Sequence, residues 1–171
     1  MGGAMRPRTK VSKSGLALVL AALGLMGCGG RMPDDLGVDQ GRLRDCPSSP
    51  NCVSSTAPAS DDGHAIAALA VADGVEIEAA WAGLVEALEA RPRVEIVTRD
   101  SGDLHAVFTT RLMRYRDDVE FLRDDGASKI DVRSASRVGY SDMGANRARV
   151  ESLRSALAEA GFVEGGPVEV D

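Results

Sequence analysis

"VEIVTRDSGDLHAVFTTRLMRYRDDVEFLRDDGASKIDVRSAS", residues 94–136, holds four strand-like runs in succession, and its reading decides the fold. Val94, Ile96 and Thr98 alternate along the first run. Leu104, Ala106, Phe108 and Thr110 alternate along the second. Val119 and Phe121 mark a third run; Ile130, Val132 and Ser134 mark a fourth. A period of two places one parity on a buried face and the other on the opposite face. "RDSGD" (Arg99–Asp103) separates the first two runs, and "DDGAS" (Asp124–Ser128) is a hairpin-turn signal between the last two. The second parity carries His105, Thr109, Arg111, Glu120, Lys129, Asp131, Arg133 and Arg137, which reads as the one wet face that an antiparallel sheet allows.

Helical periodicity flanks the strands. Ile77, Trp81, Leu84, Val85 and Leu88 recur at helical spacing over 76–91, with Asp73 and Glu76 at capping-box spacing and Pro92 as the stop. Trp81 sits on this stripe and reads as a core anchor rather than a ligand platform. A second stripe, Val150, Leu153, Leu157 and Ala160, predicts a helix over 145–160 that ends at Gly161. Helix, four strands, helix gives an α+β class: an antiparallel sheet of about four strands with both helices on one face. "HAIAALAV" (His64–Val71) reads as a short strand or an extended segment packed on the domain. The expected divisions are a leader at 1–27, a Gly- and Asp-rich flexible tether at 28–43, one domain at 44–161 and a tail at 162–171.

The leader has a secretory layout. Arg6, Arg8, Lys10 and Lys13 precede the apolar stretch "GLALVLAALGLMG" (Gly15–Gly27), which is short for a membrane span of ~20 residues. The stretch ends in "LMGC" (Leu25–Cys28), which resembles the lipobox of bacterial lipoproteins. That resemblance implies cleavage after Gly27 and diacylation of Cys28, and two acyl chains suffice for stable anchoring. The implied location is the extracytoplasmic side of a membrane. Gly29 stands where an aspartate would favour the inner membrane of many two-membrane bacteria, so the lean is to the outer one where there are two. Without the leader's four basic side chains, 16 remain against 26 acidic ones, a net −10. Such a balance argues against nucleic-acid binding, which needs a basic face, and leaves anchoring to the lipid.

With Cys28 lipidated, Cys46 and Cys52 remain in an exported chain and read as a disulfide. Closing this loop of seven residues contributes roughly 2.4 kcal/mol in the chain-entropy model. Pro47 and Pro50 pre-bend it. A metal site is the weaker alternative, since only His64 and His105 are available to complete a tetrahedral set. A redox pair lacks the C-x-x-C spacing.

"CPSSPNCVSS" (Cys46–Ser55), "RYRDDVEF" (Arg114–Phe121) and "VRSASRVGYSDMGANRARVESLR" (Val132–Arg154) together resemble a bacterial and plastid family named domain of unknown function 1499. The resemblance spans about Leu43 to Leu157. It implies no activity.

Chemical motifs are sparse. H-E-x-x-H, P-loop and G-x-G-x-x-G patterns are absent, and no cofactor or metal is expected. "GYSDMG" (Gly139–Gly144) approaches a nucleophile elbow but has Met143 in place of the second glycine. Asp117 and Asp118 are adjacent carboxylates that a strand would point to opposite faces. The richest segment gathers Arg133, Ser134, Ser136, Arg137, Tyr140, Ser141, Asn146 and Arg147 at a strand end, a bend and a helix start. A helix N-terminus beside guanidinium forks suits a carboxylate, a phosphate or a lipid headgroup. The competing reading is an internal network, with Arg133 and Arg137 paired to Asp118 or Glu120, Arg147 paired to Glu151, and Ser141 or Asp142 as an N-cap. Tyr115 and Arg116 adjoin the segment if neighbouring runs pair. The functional expectation is a membrane-anchored envelope lipoprotein, a non-enzymatic binding or assembly accessory whose partner is an anionic small molecule or an envelope protein. The alternative is a hydrolase-like enzyme with its site in Arg133–Arg147.

Overall fold

The computed structural model describes residues 30–166; the leader and Cys28 lie outside the described residues. The elements, in chain order, are β1 (Val38–Asp39), β2 (Arg42–Leu43), β3 (Cys52–Ser54), β4 (Leu69–Ala70), α1 (Ile77–Glu89), β5 (Val94–Arg99), β6 (Asp103–Thr109), β7 (Arg116–Asp124), β8 (Lys129–Ser136) and α2 (Ala145–Glu159). The class is α+β. The main sheet is antiparallel in the order β3-β8-β7-β6-β5, with β4 also paired to β8. The expected four strands are β5–β8. The sheet has six, because β3 and β4 lie end to end along the outer edge of β8. Strands of two or three residues are too short to show a period, so alternation gives no sign of them. β1 and β2 form a separate two-stranded ribbon.

The register brings the apolar parity together. Leu104 faces Phe121, Phe121 faces Val132, and Ala106 faces Val119. Trp81, Leu84 and Leu88 of α1 and Val150, Leu153 and Leu157 of α2 close over these residues in one core. The capping box does not form: Glu76 is the N-cap and carries no side-chain cap bond, because Asp73 lies in a separate turn closed by Val75 N–H to the Ala72 carbonyl (3.0 Å). α2 ends in a Schellman motif. The Gly161 and Phe162 N–H groups reach back to the Ala158 and Leu157 carbonyls, both at 2.9 Å, with Gly161 at φ 79°. The chain expected to be a tail from residue 162 then re-enters the core: Val163 is buried and bridges Val71.

The second sheet face is not wet. His105, Glu120, Asp131 and Arg133 are all buried. Residues 30–43, within the segment read above as tether, cross this face: Leu43 is buried, Asp35 accepts from Arg133 (2.9 Å), and the Gly37 N–H donates to Glu120. The polar parity predicts exposure only if its residues need water. Here they neutralise one another and can be covered.

The Cys46–Cys52 disulfide is present, with its Cα atoms 5.7 Å apart. It anchors β3 against β8, where Cys52 faces Ala135.

Gly83 makes room for Phe162, since a Cβ there would come within 2.5 Å of the ring. Gly83→Ala gains about 1 kcal/mol of helix propensity but overpacks at a cost of about 1–3 kcal/mol. Urea unfolding is therefore expected to show a net loss of stability, and the loss caused by Gly83→Ala should be smaller in a Phe162→Ala background, where the group that meets the added methyl is gone.

Candidate functional site

The eight residues of the β8–α2 segment divide by parity. Arg133 lies on the covered face and is the largest fully buried side chain. Its Nη1 donates to Glu120 Oε2 (2.8 Å) and its Nη2 to Asp35 Oδ2 (2.9 Å). Arg137, just past the strand, grips Asp118 with two bonds, Nε to Oδ2 (2.8 Å) and Nη2 to Oδ1 (2.7 Å). His105 Nε2 donates to the same carboxylate (2.8 Å). Arg133 and Arg137 thus engage the cross-strand acids that strand pairing offers, Glu120 and Asp118.

Ser134, Ser136 and Asn146 meet on the helix face. Asn146 is fully buried. Its Oδ1 accepts from Ser134 Oγ (2.6 Å) and from Arg149. Its Nδ2 is shared among Asp142 Oδ2 (2.7 Å), the Asn51 carbonyl (2.9 Å) and Ser136 Oγ (3.0 Å). Asn51 belongs to the disulfide loop, and its own Nδ2 donates to the Gly139 carbonyl (2.7 Å). The stapled loop therefore holds the bend that leads into α2. Asp142 accepts from the N–H groups of Gly144 (3.0 Å) and Asn146 (2.7 Å), so it satisfies free donors of the first turn although Gly144 is the formal N-cap.

Arg147 does not pair with Glu151. It donates to the Asp62 carbonyl (3.2 Å), while Arg154 takes Glu151 (2.9 Å) and is itself fixed by the carbonyls of Ala67 and Ala68. Tyr140 and Ser141 are exposed. Two residues important here were not assigned to this site from the sequence, Arg149 and Asp117. Arg149 pairs with Asp117 and stacks over Phe108, 5.1 Å from the ring centre. Asp117 sits on the apolar parity of β7, and that mismatch was the available clue. It and Asp118 do point to opposite faces: one meets Arg149 of α2, the other meets His105 and Arg137.

Burial works against charge on Asp118, and the hydrogen bonds from Arg137 and His105, with the Arg137 charge, outweigh it, so its carboxyl is held below the ordinary value. The Asp118 partner likewise raises Arg137, against burial. His64 Nδ1 meets Asp61 Oδ2 (2.9 Å) and its Nε2 faces the Ser49 carbonyl (3.2 Å). The Asp61 hydrogen bond raises its pKa, burial opposing. Neither histidine contacts Ser134, Ser136 or Ser141 among the described residues, so those hydroxyls have no imidazole base. No cluster of three or more His, Cys, Asp or Glu suited to a metal occurs among the described residues.

What this framework presents outward is a groove of about 640 Å³ at the end of the sheet where β7 begins and β8 ends. Tyr115 of the β6–β7 loop forms part of its wall, and Val138, Ser141 and Met143 of the β8–α2 bend form another part. Asp117 and Ser136 lie at its base, and Gly30 lies at its edge, where a Cβ would come within 2.8 Å of Arg137 Cβ.

Two outcomes follow from the ion pairs. Arg137→Glu or Asp118→Asn leaves a buried charge uncompensated and is expected to cost about 3–5 kcal/mol in chemical denaturation. Because Asp118 titrates lower when folded than when unfolded, its contribution is complete above the ordinary carboxylate range and drains away as pH falls through the folded value. Thermal unfolding of the parent chain should therefore weaken below about pH 4, and Asp118→Asn should flatten that limb.

The family model described as "Protein of unknown function (DUF1499)" matches residues 42–157, and the chain belongs to that family. No curated protein and no solved structure matches the chain.

Proposed function

We propose that the protein is a lipid-anchored accessory of the cell envelope that acts by binding, with the groove beside Tyr115 and Met143 as its contact surface. One observation carries this reading: apart from the exposed Tyr140 and Ser141, the hydrogen-bonding side chains of the β8–α2 segment are engaged within the fold, and the surface left over is mainly apolar. Arg133 and Arg137 are already matched to buried carboxylates, and Ser134 and Asn146 to each other. An anionic small molecule would have to compete with those partners. An apolar or amphipathic partner would not, and it would gain from desolvating the groove.

Catalysis finds less support here. A hydrolytic serine needs a base within hydrogen-bond reach and a third group to orient that base. Ser141 Oγ accepts from the Met143 N–H, and Ser136 Oγ accepts from Asn146, so both hydroxyls have structural work in the bend. The anchored location is supported by the charged leader, its apolar core and the "LMGC" ending at Cys28.

A native mass spectrum of protein extracted from membranes without reductant tests the reading. The expected mass is residues 28–171 plus acyl chains, less two hydrogens for the disulfide. An unlipidated chain would overturn the anchored location. Met143→Glu combined with Val138→Glu is expected to abolish co-purifying partners or lipid while leaving the melting temperature within a few degrees, because both side chains are exposed.

A further inference from the structure

The groove's rim has a chemistry of its own. The β6–β7 loop and the first residue of β7 read "RLMRYR", Arg111–Arg116, and all six residues are exposed, Leu112 at 87%. Reciprocal bonds close this loop at its base, Thr110 N–H to the Tyr115 carbonyl and Tyr115 N–H to Thr110 Oγ1, both 2.9 Å. Leu112 and Met113 therefore project from a preformed tip. Across the groove, the β8–α2 bend presents Tyr140 (76% exposed) and Met143 (98%), and the bend is fixed from beneath by Asn51 and Asn146. Exposed apolar tips on rigid loops at one end of a small domain mark a contact surface.

Charge narrows the occupant. In a mature chain of net −10, Arg111, Arg114 and Arg116 crowd this loop and its junction with β7. None of the three forms an ion pair among the described residues. Guanidinium groups interleaved with Leu, Met and Tyr suit a bilayer interface, where the aromatic and apolar tips enter the headgroup layer and the cations meet phosphate.

Distance points the same way. Gly30 edges the groove, and Cys28 is two residues earlier, so a fully extended backbone places its α-carbon within about 7 Å of Gly30. Acyl chains on Cys28 would leave the protein beside these loops. We infer that the β6–β7 loop and the β8–α2 bend seat on a bilayer interface containing anionic phospholipid, with Leu112, Met113, Tyr140 and Met143 entering it and Arg111, Arg114 and Arg116 binding phosphate. The orientation rests on the anchored reading above; the affinity of the loops for lipid does not.

The test places a reporter at each end of the sheet. Leu112→Trp lies at the proposed contact. Ala127→Trp lies in the β7–β8 turn, at the far end of the nine-residue β7 and roughly 27 Å away. Trp81 is buried in the core and gives a constant background. Full-length protein is reconstituted in vesicles of phosphatidylglycerol and phosphatidylcholine with brominated acyl chains. The Leu112→Trp emission is expected to shift to shorter wavelength and lose most of its intensity, while the Ala127→Trp emission stays near its value in unbrominated vesicles. Reversing all three arginines to glutamate should restore the Leu112→Trp emission, and removing phosphatidylglycerol should do so in part. Equal quenching at both positions, no quenching at either, or quenching indifferent to the arginines overturns the inference. A crosslinked dimer or protein complex that covers Leu112 also overturns it. If the protein partitions into the aqueous phase, the anchored reading fails alone. The same variants added to preformed vesicles then decide the inference, which expects binding that weakens roughly fivefold for each arginine removed.

Discussion

The buried pair of Arg133 and Glu120 is the interaction on which the rest of the molecule depends. Two charges at the centre of a sheet face would normally keep that face in water, because desolvating an unpaired ion costs several kcal/mol. Here the two guanidinium arms meet Glu120 and Asp35, and the neighbouring His105–Asp118–Arg137 set is closed in the same way. Once neutralised, the face can accept a cover. Residues 30–43 supply it, bringing Leu43 into the interior and the Gly37 N–H onto Glu120. The sheet is thereby sandwiched, with helices on one side and the N-terminal segment on the other, although only the helix side is built from apolar residues. Arg133 Nε remains without a partner, a residual cost of placing so large a side chain there.

The second organising element is Asn146. One buried amide ties together Ser134 and Ser136 of β8, the Asn51 carbonyl of the stapled loop, and Asp142 of the bend. The disulfide contributes to the groove at one remove: it positions Asn51, and Asn51 positions Gly139. A loop of seven residues with two prolines would otherwise be a modest stabiliser. Its larger consequence is that a bend carrying exposed Tyr140 and Met143 has a fixed shape. Apolar tips held in this way lose little entropy when a surface covers them.

This division between hidden polar groups and displayed apolar ones explains what the sequence disclosed. Periodicity located both helices and β5–β8, since each is long enough to repeat its pattern several times. β3 lay beyond that method, and β4 was legible only as part of the apolar run His64–Val71, read as a short strand or extended segment. The covered second face also lay beyond it: parity separates polar from apolar residues but does not tell a solvated ion from a paired one. The Arg and Ser richness of Val132–Arg154 was legible, and cross-strand pairing to Asp118 and Glu120 followed from register. Arg149 with Asp117 did not, because the partners are 32 residues apart and join a helix to a strand. The exposed tips of Leu112 and Met143 were also hidden, since an apolar residue in a loop gives no period.

The same division bears on how an acidic domain can live against an anionic membrane. If the chain is cleaved after Gly27 as proposed, its net charge is −10, and its repulsion by anionic headgroups would act over about 8 Å at physiological ionic strength, weighing most on whichever surface faces the lipid. An anchor alone would hold the domain near the bilayer without choosing that surface. Arg111, Arg114 and Arg116, which form no ion pair among the described residues, put positive charge at one end of the sheet, while Asp124 and Asp125 at the other end are matched by Lys129 and Arg123. The field of an anionic bilayer would act mainly on the arginine end. It favours the end that holds Leu112 and Met143 and acts little on the ion-paired turn at the other end. Orientation becomes a property of charge placement along the sheet, set by residues that contribute little to the stability of the fold.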